Sequence, residues 1–168
     1  NRLICEAEEL LATAERLDAV VWTADTATGA VINTVKIDGR YPRGIAITSD
    51  SSTAYIAVMG GSDVAKVDIA TGAVSFIRNV GAGPRHIVIA PDDSALYVTL
   101  NKAGQVAKID TATGQVVTRT PTGTQPRSAD ISTDGTALYV VNYEDSNISK
   151  IRTSDMKVID EEPAGHHP

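Results

Sequence analysis

The chain has very little cysteine: one residue, Cys5, among 168. A single thiol excludes an internal disulfide framework and any structural zinc site built on paired cysteines. No apolar run approaches the roughly 20 residues that a membrane helix needs. An excess of positive charge is also missing. Fifteen Lys and Arg stand against 21 Asp and Glu, a net charge of -6, which argues against a generic nucleic-acid binder. There is no Gly-x-Ser-x-Gly, no His-Glu-x-x-His, no phosphate loop and no dinucleotide fingerprint, so no catalytic residues and no cofactor are assigned. What remains is an ordinary composition, 42% hydrophobic and 21% charged, which excludes collagen, coiled coil and wholesale disorder.

The positive signal is a repeat. Pro42, Pro84, Pro126 and Pro168 are spaced by 42 residues, and Gly39, Gly81, Gly123 and Gly165 keep the same interval. So do Arg43, Arg85 and Arg127; Asp50, Asp92 and Asp134; Tyr55, Tyr97 and Tyr139; and Lys66, Lys108 and Lys150. Within a unit the apolar pattern alternates with period two. Four short β-branched runs are joined by Asp/Gly/Pro/Ser turns, as Ile87–Ile89, Leu96–Leu100, Val106–Ile109 and Gln115–Arg119 illustrate. Four antiparallel strands per unit of about 40–45 residues is the pattern of a β-propeller blade. Helical solenoids fail because Gly, Pro or Thr-Gly interrupts the chain about every ten residues.

The predicted fold is therefore all-β, a partial β-propeller of about 3.5 blades. Residues 19–38 give the outer part of one blade; 39–80, 81–122 and 123–164 are full repeats, and 165–168 start the next. Such an arc needs completion, either by further blades of a longer chain or by homodimerisation, because rings contain about four to eight blades. Residues 1–18 read differently. Leu3, Ala7, Leu10, Leu11, Ala14 and Leu17 recur at helical spacing opposite Glu6, Glu8, Glu9 and Glu15, which predicts a short amphipathic helix or the end of a preceding segment. Cys5, with no basic neighbour to stabilise a thiolate, is expected to be inert.

The columns Gly-x-x-Pro, Ser/Pro-Asp, Leu-Tyr-Val-Thr and Asp-x-Ala-Thr-Gly resemble the YVTN-type β-propeller repeat, over roughly residues 20–168. Tyr139-Val140-Val141-Asn142 keeps the Asn of that motif, whereas Tyr97-Val98-Thr99-Leu100 and Tyr55-Ile56-Ala57-Val58 lose it. The last unit also replaces Asp-x-Ala-Thr-Gly by Arg152–Met156. The resemblance implies an extracytoplasmic protein: periplasmic, secreted or at the cell surface. The family is functionally mixed, so function has to come from the site.

Chain direction assigns the faces of a blade. Arg43, Arg85 and Arg127 directly follow the Gly-x-x-Pro turn, so each begins an innermost strand beside the central channel. Three guanidinium groups around one axis suit carboxylate or phosphate ligands; pairing with carboxylates of neighbouring blades is the structural alternative. His86 stands where sister units have Gly44 and Ser128, at the same mouth. Asp130 enters an otherwise apolar column. Variable loops on this face place Asp63, Tyr143, Glu144 and Asp145 as candidate partner contacts. The function expected is a non-catalytic binding or scaffold module taking a protein or anionic ligand. Its partners include neither nucleic acid nor the interior of a membrane. The competing reading is a redox, metal-, haem- or quinone-associated propeller using His86, His166 and His167, or a small-molecule lyase working in the channel. No metal ligands are assigned.

Overall fold

The computed structural model of the chain describes residues 2–4, 19–25 and 27–168. The described residues contain fifteen strands and no helix. A leading sheet is formed by β1 (Arg2–Ile4), β2 (Ala19–Ala24) and β3 (Val31–Ile37). Three four-stranded antiparallel meanders follow. The first holds β4 (Pro42–Ile47), β5 (Thr53–Val58), β6 (Val64–Asp68) and β7 (Val74–Ile77). The second holds β8 (Pro84–Ile89), β9 (Ala95–Leu100), β10 (Gln105–Asp110) and β11 (Val116–Pro121). The third holds β12 (Pro126–Ile131), β13 (Ala137–Asn142), β14 (Asn147–Arg152) and β15 (Lys157–Pro163). The first strands β4, β8 and β12 lie side by side, so the sheets stack as propeller-like blades in an open arc.

The helix expected over 1–18 is corrected at its start: Arg2–Ile4 is a strand, paired antiparallel with β2 in the register Arg2↔Ala24 to Ile4↔Trp22. Three residues of ladder pairing on a sheet edge override a local helical pattern, because local propensity is a weak prior. The rest of that segment, Cys5 included, lies outside the described residues.

Both faces of the first two complete blades meet a neighbouring sheet, with period two along the strands. On β5, Ala54, Ile56 and Val58 face the leading sheet's Val21, Val35 and Ile37. The alternate residues Tyr55 and Ala57 face Leu96, Val98 and Leu100 of the second blade. In the same way Tyr97 and Val106 pack on Leu138, Val140 and Ile151 of the third. This explains why the second strands β5 and β9 are buried along nearly their whole length.

The Tyr and Lys columns are one device. Tyr55↔Lys66, Tyr97↔Lys108 and Tyr139↔Lys150 are directly opposed across the second and third strands. Each ammonium sits over its ring, at 5.9, 5.7 and 5.6 Å. Lys108 also reaches into the next blade, donating from Nζ to the Thr153 carbonyl at 2.9 Å. The Asp columns are turns. Asp50, Asp92 and Asp134 accept from the backbone N–H of Ser52, Ser94 and Thr136, two residues on. Asp25, Asp68 and Asp110 close the Asp-x-Ala-Thr-Gly turns on Thr28, Thr71 and Thr113, where Gly29, Gly72 and Gly114 take φ of 72°, 73° and 69°. The last blade achieves the same bend with Met156 at φ 56°, its side chain buried in the core between the second and third blades.

Candidate functional site

The sequence around each arginine builds a bulge. β4 pairs with β5 as Pro42↔Val58 and then Ile45↔Ile56, so one extra residue lies on the inner strand. The same slip occurs between Pro84 and Ile87 and between Pro126 and Ser128. A bulge interrupts the ladder and re-aims the residue it contains. Here that residue is Arg43, Arg85 or Arg127, at the end of the inner strand where the incoming turn and the second-to-third-strand loop adjoin. The two loops are tied together by Met59 N to Tyr41 O at 3.0 Å, Asn101 N to Gly83 O at 2.8 Å and Tyr143 N to Gln125 O at 3.2 Å. The incoming turn repeats as well: Tyr41, Gly83, Gln125 and His167 all take φ between 51° and 70°.

The three arginines share one electrostatic environment. Partial burial and the guanidinium groups of Arg127 and Arg43 together push the Arg85 pKa below its usual value. No ion pair among the described residues involves any of the three; Arg78 pairs with Asp63, and Asp155 with Arg152 and Lys157. Arg85 donates to the Met59 thioether, at 3.6 Å. Arg127 lies over the Tyr143 ring, its guanidinium carbon 3.2 Å from the centroid, and Nη2 reaches Gln125 Oε1 at 3.4 Å. Its Nε is buried with no hydrogen-bond partner among the described residues. Arg43 is exposed. Like charges brought together without a carboxylate raise the free energy of the empty site, and an oxyanion relieves it.

His86 is fixed by both neighbouring strands. Its N–H donates to Thr99 Oγ1 at 2.9 Å, and its Nδ1 accepts from the Ala129 N–H at 3.2 Å. Nδ1 thus carries a lone pair and the ring proton sits on Nε2. Burial lowers its pKa, with Arg85 adding to the effect and Asp130 opposing it. The ring is held neutral as an inter-blade strut beside Arg85. The sister position Gly44 has another role. A Cβ there would lie 2.8 Å from His86 Cα and Ile87 N, so glycine permits the close approach of β4 to β8.

The loop residues divide. Asp63 is engaged within the chain, accepting from Asn79 N at 2.9 Å and Arg78 Nη1 at 2.7 Å, and so fastens the link between the first and second blades. Asp145 accepts from Thr124 N at 2.6 Å across the incoming turn. Tyr143 has Arg127 over its ring and stacks with His167, whose ring centroid lies 4.4 Å away; His166 is tilted against His167 at 3.9 Å. Glu144 is exposed, its backbone N–H bonded to the Thr124 carbonyl at 3.3 Å. Arg127 and Tyr143 are therefore brought together, while Asp63 lies with Arg78 and Asn79. Sequence reasoning missed the bulges and Gln125; the repeated Pro-Arg step was their only trace. Among the described residues no group of three or more His, Cys, Asp or Glu side chains is placed to hold a metal ion. No helix among them is long and apolar enough to cross a membrane.

The fold has clear neighbours among solved structures. One is the hydrazine synthase of Kuenenia stuttgartiensis, matched with a TM-score of 0.76 at 25% identity over 84% of this chain and 42% of that one. Another is a protein of unknown function from Desulfotomaculum acetoxidans, with a TM-score of 0.74 at 17% identity over 85% of this chain and 48% of the other. The chain spans less than half the length of either. No protein-family model matches the sequence, and no curated protein matches it.

Proposed function

We propose that this chain is a non-catalytic binding module of β-propeller type, of the YVTN-like repeat class, working outside the cytoplasm. Its arginine cluster takes an oxyanion, either a small carboxylate or phosphate or the acidic group of a partner protein. One observation carries the reading: three bulged arginines at identical blade positions, coupled to one another and ion-paired with no described carboxylate. Guanidinium forks suit carboxylate and phosphate geometry and keep their charge at any physiological pH. Tyr143 supports Arg127 from beneath its guanidinium, and Glu144 with the surrounding loops is positioned to discriminate among partners.

The test is calorimetric titration with inorganic phosphate and with a tricarboxylate, on the parent and on Arg43→Gln/Arg85→Gln/Arg127→Gln. The parent is expected to bind, with an affinity that falls as salt rises. The triple variant is expected to lose binding with its melting temperature unchanged or raised, since like-charge repulsion is removed. A parent that ignores both anions, or a variant that binds as well as the parent, overturns the reading.

A redox reading draws on the likeness to hydrazine synthase. It predicts a chromophore or stoichiometric metal in the purified protein, which absorbance and elemental analysis detect.

A further inference from the structure

Two boundaries join complete blades within the arc, and on the loop face they differ. At the first, the loop after β5 is zipped to the turn entering the second blade by three main-chain bonds: Val80 N to Ser62 O at 2.7 Å, Gly81 N to Ser62 O at 3.2 Å and Gly83 N to Gly61 O at 3.1 Å. At the second boundary one of the three survives, Thr122 N to Gly104 O at 3.1 Å. Gly123 and Gln125, the sisters of Gly81 and Gly83, donate to no carbonyl of the facing loop. In place of the zip, a cleft of about 560 Å³ opens between the loop over 101–104 and the turn over 123–125.

The cleft is continuous with the arginines. Asn101 donates from N to Gly83 O at 2.8 Å and from Nδ2 to Pro126 O at 3.4 Å, so it ties together the turns that lead into Arg85 and Arg127. Gln125 lines the cleft while its Oε1 accepts from Arg127 Nη2. A Cβ at Gly83 would meet Lys102 Cγ at 2.8 Å, so only the bare glycine lets the lysine stem lie over the turn that precedes Arg85. Lys102 is exposed at the cleft and enters no ion pair among the described residues. Its sisters are Gly60 and Glu144, so one repeat in three carries a cation there. Asp145 takes the Thr124 N–H, which leaves the N–H groups of Gly123 and Gln125 as the turn's free donors.

We infer that this cleft is a second anion subsite and that the ligand carries a diphosphate group. One phosphoryl group sits on Arg85 and Arg127, and its neighbour enters the cleft against the Lys102 ammonium and the N–H groups of Gly123 and Gln125. The inference rests on the arginine seat proposed above and narrows its ligand from any oxyanion to a diphosphate. A lysine ammonium is a compact point charge suited to phosphate. Main-chain N–H groups of a turn form concavities that take anions. The cleft also has the volume of a small-molecule site, so an organic group attached to the second phosphoryl has room beside the loop. A lone carboxylate or phosphate would fill the arginine seat and leave Lys102 and the turn unused. The first boundary, zipped shut and with Gly60 in the lysine's place, offers no counterpart, so the ligand lies off-centre between the second and third blades.

The experiment is calorimetric titration with pyrophosphate and with orthophosphate at one ionic strength, on the parent and on Lys102→Gln, with main-chain amides followed by NMR. The parent should bind pyrophosphate at least about tenfold more tightly than orthophosphate, as charge-assisted bonds at a second group require. Lys102→Gln, a change on an exposed loop, should lose most of that advantage and keep the parent's orthophosphate affinity. The N–H signals of Gly123 and Gln125 should move with pyrophosphate and hold still with orthophosphate. Lys157→Gln, which removes the same charge from the outer strand β15, should bind both anions as the parent does. Orthophosphate binding with no gain for pyrophosphate overturns the cleft and leaves the arginine seat standing. So does a Lys102→Gln loss that is equal for both anions, or a pair of amide signals that pyrophosphate does not move. A parent that binds neither anion overturns the seat, and the cleft with it.

Discussion

Replacing Gly44 by alanine tests how tightly the inner strands define the site. Sister repeats carry His86 and Ser128 in that column, so alignment of the units alone suggests tolerance. The structure says otherwise. A Cβ at Gly44 would meet His86 Cα and Ile87 N at 2.8 Å and Arg85 O at 2.9 Å, all main-chain atoms that cannot rotate away. Strand β4 must retreat from β8, and overpacking of this kind costs about 1–3 kcal/mol. The backbone there is not left-handed, so alanine recovers about 0.4–1 kcal/mol by stiffening the unfolded chain. The net expectation is a loss of about 0.5–2 kcal/mol, read as a drop of roughly 1–8 °C in melting temperature for a chain of this size. The control is Gly61→Ala, where the nearest atom is Val58 O at 4.0 Å; its melting temperature should hold or rise slightly. Because the retreat separates Arg43 from Arg85, phosphate affinity should fall as well. A Gly44→Ala protein as stable as the parent would refute the close approach of the inner strands on which the site's geometry depends.

Two further outcomes are expected. Asp93 accepts from Ser49 N–H and Oγ–H across the blade boundary, with shortest distances of 2.9 and 2.6 Å. Asp93→Ala should therefore cost about 1–3 kcal/mol in urea unfolding, whereas a neutral result would remove these bonds from the account of blade docking. Hydrogen bonds from Ser132 and Thr136 hold Asp134 at about 2, and Arg152 holds Asp155 at about 2, against an ordinary carboxyl value of 3.8. A folded-state pKa below the unfolded one adds stability at pH values above about 4, and that stability is lost as pH falls toward about 2. The urea midpoint should drop across this window, and Asp134→Asn with Asp155→Asn should make the drop shallower. An unchanged acid profile would contradict the assignment.

The repeat columns proved legible because each corresponds to one local device. Tyr and Lys eleven residues apart become opposed partners whenever a tight turn joins two strands, and Asp two residues before a Ser or Thr N–H makes its own turn. Arg43, Arg85 and Arg127 could be assigned to inner strands for the same reason. The bulge that re-aims them could not, since it depends on the register of two strands rather than on either one. Asp63 read as a loop carboxylate because its partners, Arg78 and Asn79, lie beyond the following two strands. The strut made by His86 to Ala129, 43 residues away, was invisible for a similar reason. Helical spacing near Leu3 misled because an edge strand of three residues needs only a backbone to pair with, and β2 provides it.

The central claim is that the three bulged arginines form one anion seat. Its most direct test is a phosphate titration followed by NMR at the arginine side-chain Nε–H groups. The account predicts that the signals of Arg43, Arg85 and Arg127 move together with a single dissociation constant, while those of the ion-paired Arg78 and Arg152 stay put. Shifts confined to Arg78 and Arg152, or three independent weak curves, would contradict it.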